Sequence, residues 1–329
     1  MSSDWTQPPA SPHVRETVRE ILATERADLE KAEALVEVAW ELQKKPKDAQ
    51  ELADALFLYD RALELSNGQP LAWARAMAGR GAALRRMPSE GTETLEPARD
   101  ALDAALAILR EAGEPEEIAE IEMTLGLVIQ SLAHAKKAPL NDAVQAYQRA
   151  LRTFRRETHP REFAILHNNL ATAYLSMKLS PERDKLREAL AVQSFREALT
   201  VVTLDGDPSE YAMLQNNLGN ALQALRTSHV QENLRRAVEA YDEALKVRTP
   251  YDTPIEYANT IANKANALMN LLDDPDDPDA KNPINLRQAI NLLRQAAKVF
   301  KQHGVHDRAS IVITLAEDLD RELRGEAMA

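Results

Sequence analysis

One pattern recurs six times along the 329-residue chain. An alanine is followed four residues later by a large side chain, and three residues after that by a second alanine. Because offsets of four and seven fall on one face of an α-helix, each copy predicts a helix that sets one large residue between two small ones. The copies are Ala55/Tyr59/Ala62, Ala98/Leu102/Ala105, Ala143/Tyr147/Ala150, Ala191/Phe195/Ala198, Ala237/Tyr241/Ala244 and Ala289/Leu293/Ala296. Small residues let a neighbouring helix approach closely, so the pattern favours a stack of paired helices.

A second kind of segment follows each of the first five copies, marked by a small residue with an apolar residue three positions later. These anchors are Gly81/Leu84, Gly126/Ile129, Ala171/Tyr174, Gly219/Leu222 and Ala265/Leu268. An earlier anchor, Ala39/Leu42, precedes the first copy, and the stretch 310–323 resembles one more after the last copy. We therefore predict about thirteen helices.

Composition supports an all-α fold. The chain holds only 10 glycines and 5% aromatic residues, and it is rich in Ala, Leu, Glu and Arg, which are good helix formers. Hydrophobic residues make up 44% of the chain, yet no apolar run approaches the roughly 18 residues of a membrane-spanning helix. We expect a protein that does not enter a membrane.

Net charge and cysteine content argue against several classes of function. A net charge of −12 argues against nucleic-acid binding, which depends on Lys and Arg contacts with phosphates. The chain has no cysteine, which excludes a thiolate zinc site and a cysteine nucleophile and fits a reducing compartment. The N-terminal residues show no signal-peptide core. We expect a cytoplasmic protein whose partner is a protein or peptide.

The two helix types together resemble the tetratricopeptide repeat (TPR). Leu-Gly-x2-Leu occurs at 218–222 and Ala-x3-Tyr-x2-Ala at 237–244. The repeats here are spaced by 43 to 52 residues, longer than the usual TPR of about 34 residues. This length, and the paired asparagines in LHNNLATAYLSM at 166–177 and LQNNLGNALQAL at 214–225, are most similar to the extended repeats of kinesin light chains and of bacterial arrays fused to CHAT-type proteases.

This resemblance implies a right-handed α-solenoid of about six helix pairs plus a C-terminal capping helix, whose concave groove is lined by the first helix of each pair. HEAT and armadillo repeats of about 40–47 residues fit the period, but the small-large-small pattern favours the TPR. We expect a disordered lead-in over 1–12, a single superhelical domain over 13–324 and a disordered tail over 325–329. The acidic, proline-rich stretch 273–283 is expected to be a loop of that domain.

The resemblance also implies which residues face the groove. They lie two residues before each small anchor, one residue after it, and one turn further along the same face. These positions are Asn169, Thr172, Asn217, Asn220, Gln223, Asn259, Asn263, Asn266 and Asn270. Because an amide offers both a donor and an acceptor, such a ladder can bind the main chain of an extended peptide. The alternatives are hydrogen bonds between adjacent helices, or simple solvation.

Nearer the N-terminus, basic residues replace the amides. Arg75, Arg85 and Arg86 fall on one predicted helix. Arginine pairs with carboxylates through two parallel hydrogen bonds, so the three could bind an acidic side chain or a C-terminal carboxylate. The alternative is a solvated helix end whose cations interact with the helix dipole.

No phosphate-binding loop, serine-hydrolase motif or H-E-x-x-H motif occurs, so we expect no catalytic residue, no metal and no cofactor. We predict a non-catalytic scaffold or adaptor that captures an extended peptide or a partner protein. Two alternatives stay open. One is a regulator that changes shape when a peptide binds, and the other is a structural subunit that self-assembles through its terminal helices.

Overall fold

The computed structural model describes residues 8–177, 181–227, 229–274, 277 and 281–325, with only the backbone of 181 and 182. These residues form fourteen α-helices and no strand. In chain order the helices are α1 Pro12–Leu22, α2 Asp28–Lys44, α3 Ala49–Leu65, α4 Pro70–Arg86, α5 Leu95–Ala112, α6 Pro115–His134, α7 Leu140–Ala150, α8 Pro160–Ser176, α9 Pro181–Ala198, α10 Pro208–Ala224, α11 Val230–Leu245, α12 Pro254–Asn270, α13 Pro283–Gln302 and α14 His306–Leu323. No helix among them is long and apolar enough to cross a membrane.

The chain divides into two compact units, residues 1–158 with α1–α7 and residues 159–329 with α8–α14. Within each unit, every even-numbered helix from α2 to α12 pairs with the odd-numbered helix that follows it, and α14 packs on α13. Even-numbered helices also touch one another, as α2 and α4 do in unit one and α10 and α12 do in unit two. The predicted all-α, TPR-like arrangement of six helix pairs and a C-terminal capping helix is confirmed.

The pairs are held by the small-large-small pattern. Tyr147 of α7 lies against Gly126 of α6, and a Cβ atom on that glycine would sit 2.3 Å from the tyrosine ring. Gly219 of α10 faces Tyr241 of α11 in the same way, at 2.6 Å. Both rings are fully buried. A side chain at either glycine would push the paired helices apart.

Proline marks where most even-numbered helices begin. Each of α4, α6, α8, α10 and α12 has proline in its first turn. At this position the missing N–H has no helical partner to lose, and the fixed φ angle already suits a helix. The residues are Pro70, Pro115, Pro160, Pro208 and Pro254.

The repeat pattern predicts thirteen helices, and α1 is the one it misses. Ser11 caps this helix by accepting a hydrogen bond from the Val14 main-chain N–H, Pro12 opens it, and Val14 and Val18 are buried. Serine followed by proline and by two valines four residues apart is a helix-start signal that stands outside the repeat. Of the predicted lead-in and tail, residues 1–7 and 326–329 lie outside the described part, as do 275–276 and 278–280 of the acidic loop. The single domain over 13–324 stays a prediction.

Candidate functional site: two faces of the even-numbered helices

In unit one, α2 and α4 flank an open cleft of about 600 Å³. Its apolar wall includes Leu29, Val36 and Leu71, all half-buried. Trp40 stands beside them with 47% of its surface exposed. The Lys44 ammonium lies 4.3 Å from the centre of the Trp40 ring. A large aromatic ring that stays this exposed beside an apolar cleft is typical of a binding surface.

The cleft continues along the next even-numbered helix. A second cavity of about 290 Å³ lies among α2, α4 and α6, and both cavities are lined by Val36, Trp40 and Arg75. Glu117 and Glu120 border the second cavity. We call the two cavities together the unit-one groove.

The unit-one groove is acidic. Glu33, Glu37 and Glu41 are exposed and follow one another at every fourth residue of α2, so they share one edge of that helix. Its arginine, Arg75, is already paired, because its Nε and Nη2 donate to the two carboxylate oxygens of Glu117 at 2.7 and 3.2 Å. This pairing raises the pKa of Arg75 and lowers that of Glu117.

The structure does not bring the three predicted arginines into one site. Arg75 is ten residues from Arg85, a distance of about 15 Å along the helix. Arg86 donates to the main-chain carbonyl of Gln43 and lies 3.4 Å from that of Lys44, both at the end of α2. This is the contact expected of a cation at a helix C-terminus. Burial and the charge of Arg86 lower the pKa of Arg85, whose Nε is buried and meets no hydrogen-bond acceptor in the described part of the chain.

In unit two the corresponding surface is built from amides. We call it the amide face, and its members lie on α10 and α12. They are Asn217, Asn220, Gln223, Asn263, Asn266 and Asn270.

Amide side chains join α10 to α12. Asn263 Nδ2 donates to Asn216 Oδ1 at 3.3 Å, and Asn216 Nδ2 donates to Asn217 Oδ1 at the same distance. One turn further along, Asn266 Nδ2 donates to Gln223 Oε1 at 3.2 Å. Three predicted groove residues, Gln223, Asn263 and Asn266, therefore take part in hydrogen bonds between these two helices, which is the first alternative given for the sequence.

Gln223 also holds a helix pair together. Its Nε2 donates to the Tyr241 hydroxyl and, at 3.2 Å, to the main-chain carbonyl of Asn263. In unit one the Tyr147 hydroxyl donates to Gln130 Oε1 at 2.7 Å. Each glutamine lies four residues after an anchor glycine, and burial raises the pKa of both tyrosines, so the hydroxyls stay neutral. The tyrosine–glutamine bond is thus a feature of the repeat.

Three residues of the amide face are exposed and keep hydrogen-bonding capacity. Asn220 accepts from the Tyr241 hydroxyl at 2.8 Å through Oδ1, which leaves its Nδ2 without a partner among the described residues. Asn266 donates through its Nδ2, and its Oδ1 has no partner among the described residues. Asn270 Nδ2 donates to the carbonyl of Asn266 at 3.1 Å, and the described residues offer no donor to its Oδ1.

The other predicted groove residues lie elsewhere. Asn259 accepts from Arg308 of α14 at 2.8 Å, so it meets the capping helix. Thr172 donates to the carbonyl of Asn169 within α8 at 2.9 Å, and both residues are half-buried. The Asn169 Nδ2 atom is buried and has no partner in the described ranges. Among those same residues, no group of three His, Cys, Asp or Glu side chains could hold a metal.

Trp40 and the glutamates of α2 are groove residues that are missing from the positions predicted above, which come only from the anchors of later repeats. The same rule applied to the first anchor, Ala39, selects Glu37, two residues before it, and Trp40, one residue after it. A usable signal is nevertheless present. Three glutamates spaced by four beside a tryptophan indicate one helix edge with an acidic and aromatic surface.

Neither a protein-family model nor a curated protein matches the chain. Solved structures do match it. YrrB, a TPR protein described as having an unusual peptide-binding site, is 22% identical over 73% of this chain and 93% of its own, with a TM-score of 0.42. The apo form of RapI is 13% identical over 95% and 90%, with a TM-score of 0.48. The Cut9–Hcn1 hetero-tetramer of APC/C is 14% identical over 92% and 48%, with a TM-score of 0.47. The specific likeness to kinesin light chains and CHAT-associated arrays stays a prediction.

Proposed function

We propose that this chain is a non-catalytic scaffold that binds a peptide or partner protein on its even-numbered helices. The unit-one groove is the observation that carries the proposal. It combines an apolar wall, a tryptophan that is 47% exposed and two adjoining cavities of about 600 and 290 Å³. Binding would cover the tryptophan and the apolar wall, which is the usual source of affinity at such sites.

The amide face supports a second contact area for the same kind of ligand. An extended peptide presents alternating N–H and C=O groups, and Asn220 and Asn266 offer a donor and an acceptor that the described residues leave unused. Asn263 and Gln223 then act indirectly, by holding α10 and α12 in place. The alternative is that these amides hydrogen-bond only between adjacent helices, in which case all of them serve helix packing alone.

The scaffold is proposed to act in the cytoplasm, in keeping with a cysteine-free sequence, and to avoid nucleic acid because its net charge is −12. Self-association through α14 is a second candidate. Ile311 on this helix is 68% exposed, and α13 and α14 border a cavity of about 490 Å³. Sedimentation velocity over a range of concentrations distinguishes a monomeric scaffold from a self-associating one.

The test selects ligands from a random-peptide phage library on the immobilised full chain. Peptides that bind the native chain should bind Trp40→Ala at least about tenfold more weakly, because truncating an aromatic anchor removes much of the binding energy. Fluorescence anisotropy with the selected peptides measures this ratio.

Tyr251→Ala is the matched control, since Tyr251 is 91% exposed and lies in the other unit. Thermal unfolding of both variants shows whether the fold is kept. Selection of no peptide, or equal binding to native chain and Trp40→Ala, would sink the proposal for the unit-one groove.

A further inference from the structure

We infer that the unit-one groove binds a basic segment with an apolar anchor, in which Lys or Arg residues flank one or two large apolar side chains. This inference rests on the proposed function and adds the chemical class of the partner. It is carried by the distribution of charge around the groove.

The residues that line the groove include five carboxylates and one guanidinium. The carboxylates belong to Glu33, Glu37, Glu41, Glu117 and Glu120, and the guanidinium to Arg75. Since Arg75 binds Glu117 through two hydrogen bonds, these two charges offset each other. The three remaining glutamates of α2 outnumber the cation beside them, Lys44, so an incoming ligand meets a surface with an excess of negative charge.

The glutamates of α2 are placed to act together. They are exposed and spaced by four residues, so they form a row about 12 Å long on one helix edge. A carboxylate only accepts hydrogen bonds, so the three cannot satisfy one another. Within this row, Glu41 has a cationic neighbour in Lys44, at 4.0 Å. A segment with two or more basic residues fits the row.

Trp40 adds a second reason for a cationic partner. The ammonium of Lys44 lies 4.3 Å from the centre of its ring, so the exposed face already accommodates a cation. A Lys or Arg of the ligand can take the place of Lys44, whose side chain is half exposed. The apolar residues Leu29, Val36 and Leu71 then receive the ligand's apolar anchor.

The same charges disfavour other occupants. A peptide with an acidic side chain or a C-terminal carboxylate in the groove would face the row of glutamates, while the arginine that could receive it is bound to Glu117. A second copy of this chain also carries a net charge of −12. Like charges facing each other across an interface cost affinity.

The experiment compares native chain, the triple variant Glu33→Gln/Glu37→Gln/Glu41→Gln and a control with the same change in net charge, Glu25→Gln/Glu30→Gln/Glu111→Gln. The control residues are exposed and line neither cavity. Peptides are selected from the random-peptide phage library, and those that require Trp40 are sequenced and measured by fluorescence anisotropy at low and high salt.

We expect the Trp40-dependent peptides to be enriched in Lys and Arg next to large apolar residues. Their affinity should fall about tenfold in the groove triple variant, stay within about twofold of native in the control, and weaken as salt rises. Trp40-dependent peptides that are neutral or acidic, or that bind the groove triple variant as tightly as the native chain, would overturn this inference and leave the proposed function intact. A selection that yields no Trp40-dependent peptide overturns both.

Discussion

The unit-one groove and the amide face lie on equivalent helices of the repeat, but their polar side chains are used differently. On the amide face, Asn263 and Asn266 of α12 donate to Asn216 and Gln223 of α10. In the unit-one groove, the glutamates of α2 line an open cleft. The amide face uses many of its hydrogen-bonding groups to hold helices together, whereas the glutamates of the unit-one groove are exposed along the cleft.

The chemistry of the two side chains explains this difference. An amide carries a donor and an acceptor, so neighbouring amides can satisfy each other. Carboxylates carry acceptors alone and repel one another, so a row of them needs cations from elsewhere. The same backbone position can therefore stabilise the array or present a binding surface, depending on which polar group occupies it.

The largest expected effect concerns the contact between an anchor glycine and a buried tyrosine, which occurs in both units. Gly219→Val should lower the free energy of unfolding by about 3 kcal/mol, because even a Cβ atom there would lie 2.6 Å from the Tyr241 ring. Gly126→Val should do the same in unit one, where the distance is 2.3 Å. Urea denaturation measures both. Ala224→Val, at an exposed position of α10, is the control. Equal stability of Gly219→Val and Ala224→Val would show that the glycine–tyrosine contact does not hold the pair.

The next prediction distinguishes an amide that bridges two helices from an amide that is exposed and bonds only its own helix. Asn263→Ala should lower the free energy of unfolding by about 1–2 kcal/mol, because it removes the donor to the side-chain Oδ1 of Asn216, which is 8% exposed. Asn270→Ala, whose amide is exposed and bonds its own helix, should cost less than about 0.5 kcal/mol. Chemical denaturation gives both values. If Asn263→Ala is as stable as native and instead loses peptide affinity, the residue acts as a ligand contact and not as a helix bridge.

The smallest expected effect tests whether Arg75 of the unit-one groove forms a stable ion pair with Glu117. Hydrogen bonds from Arg75 lower the pKa of Glu117 below its ordinary value of 4.5. The ion pair therefore stabilises the fold above that value, and its contribution is lost as the pH falls through the lowered pKa. Because both side chains are partly exposed, we expect native chain to lose only about 0.5 kcal/mol more than Arg75→Gln on acidification. Urea denaturation at neutral and acidic pH measures this. An identical pH dependence in the two proteins would show that Arg75 is free to bind a ligand.

Local patterns in the sequence predict most of the fold. The helices from α2 to α14 follow from a periodicity that each segment carries by itself, and seven of them begin with a proline. Helix α1 is missed because it stands outside the repeat, although Ser11, Pro12 and its two buried valines signal it locally. For the candidate site, the pattern places Asn217, Gln223, Asn263 and Asn266 on adjacent helices, but it does not predict their partners.

Local sequence is enough to specify that this chain forms paired helices, because propensity, periodicity and the alternation of small and large residues act within about twenty residues. Which partner each polar side chain meets depends instead on how the helices pack in three dimensions. Asn263 meets Asn216, 47 residues away, and Arg75 meets Glu117, 42 residues away. Such pairs depend on how far one helix slides along another, and a shift of a single turn, about 5.4 Å, would break them. The repeat specifies which helices pack, whereas their register specifies which side chains remain for a partner.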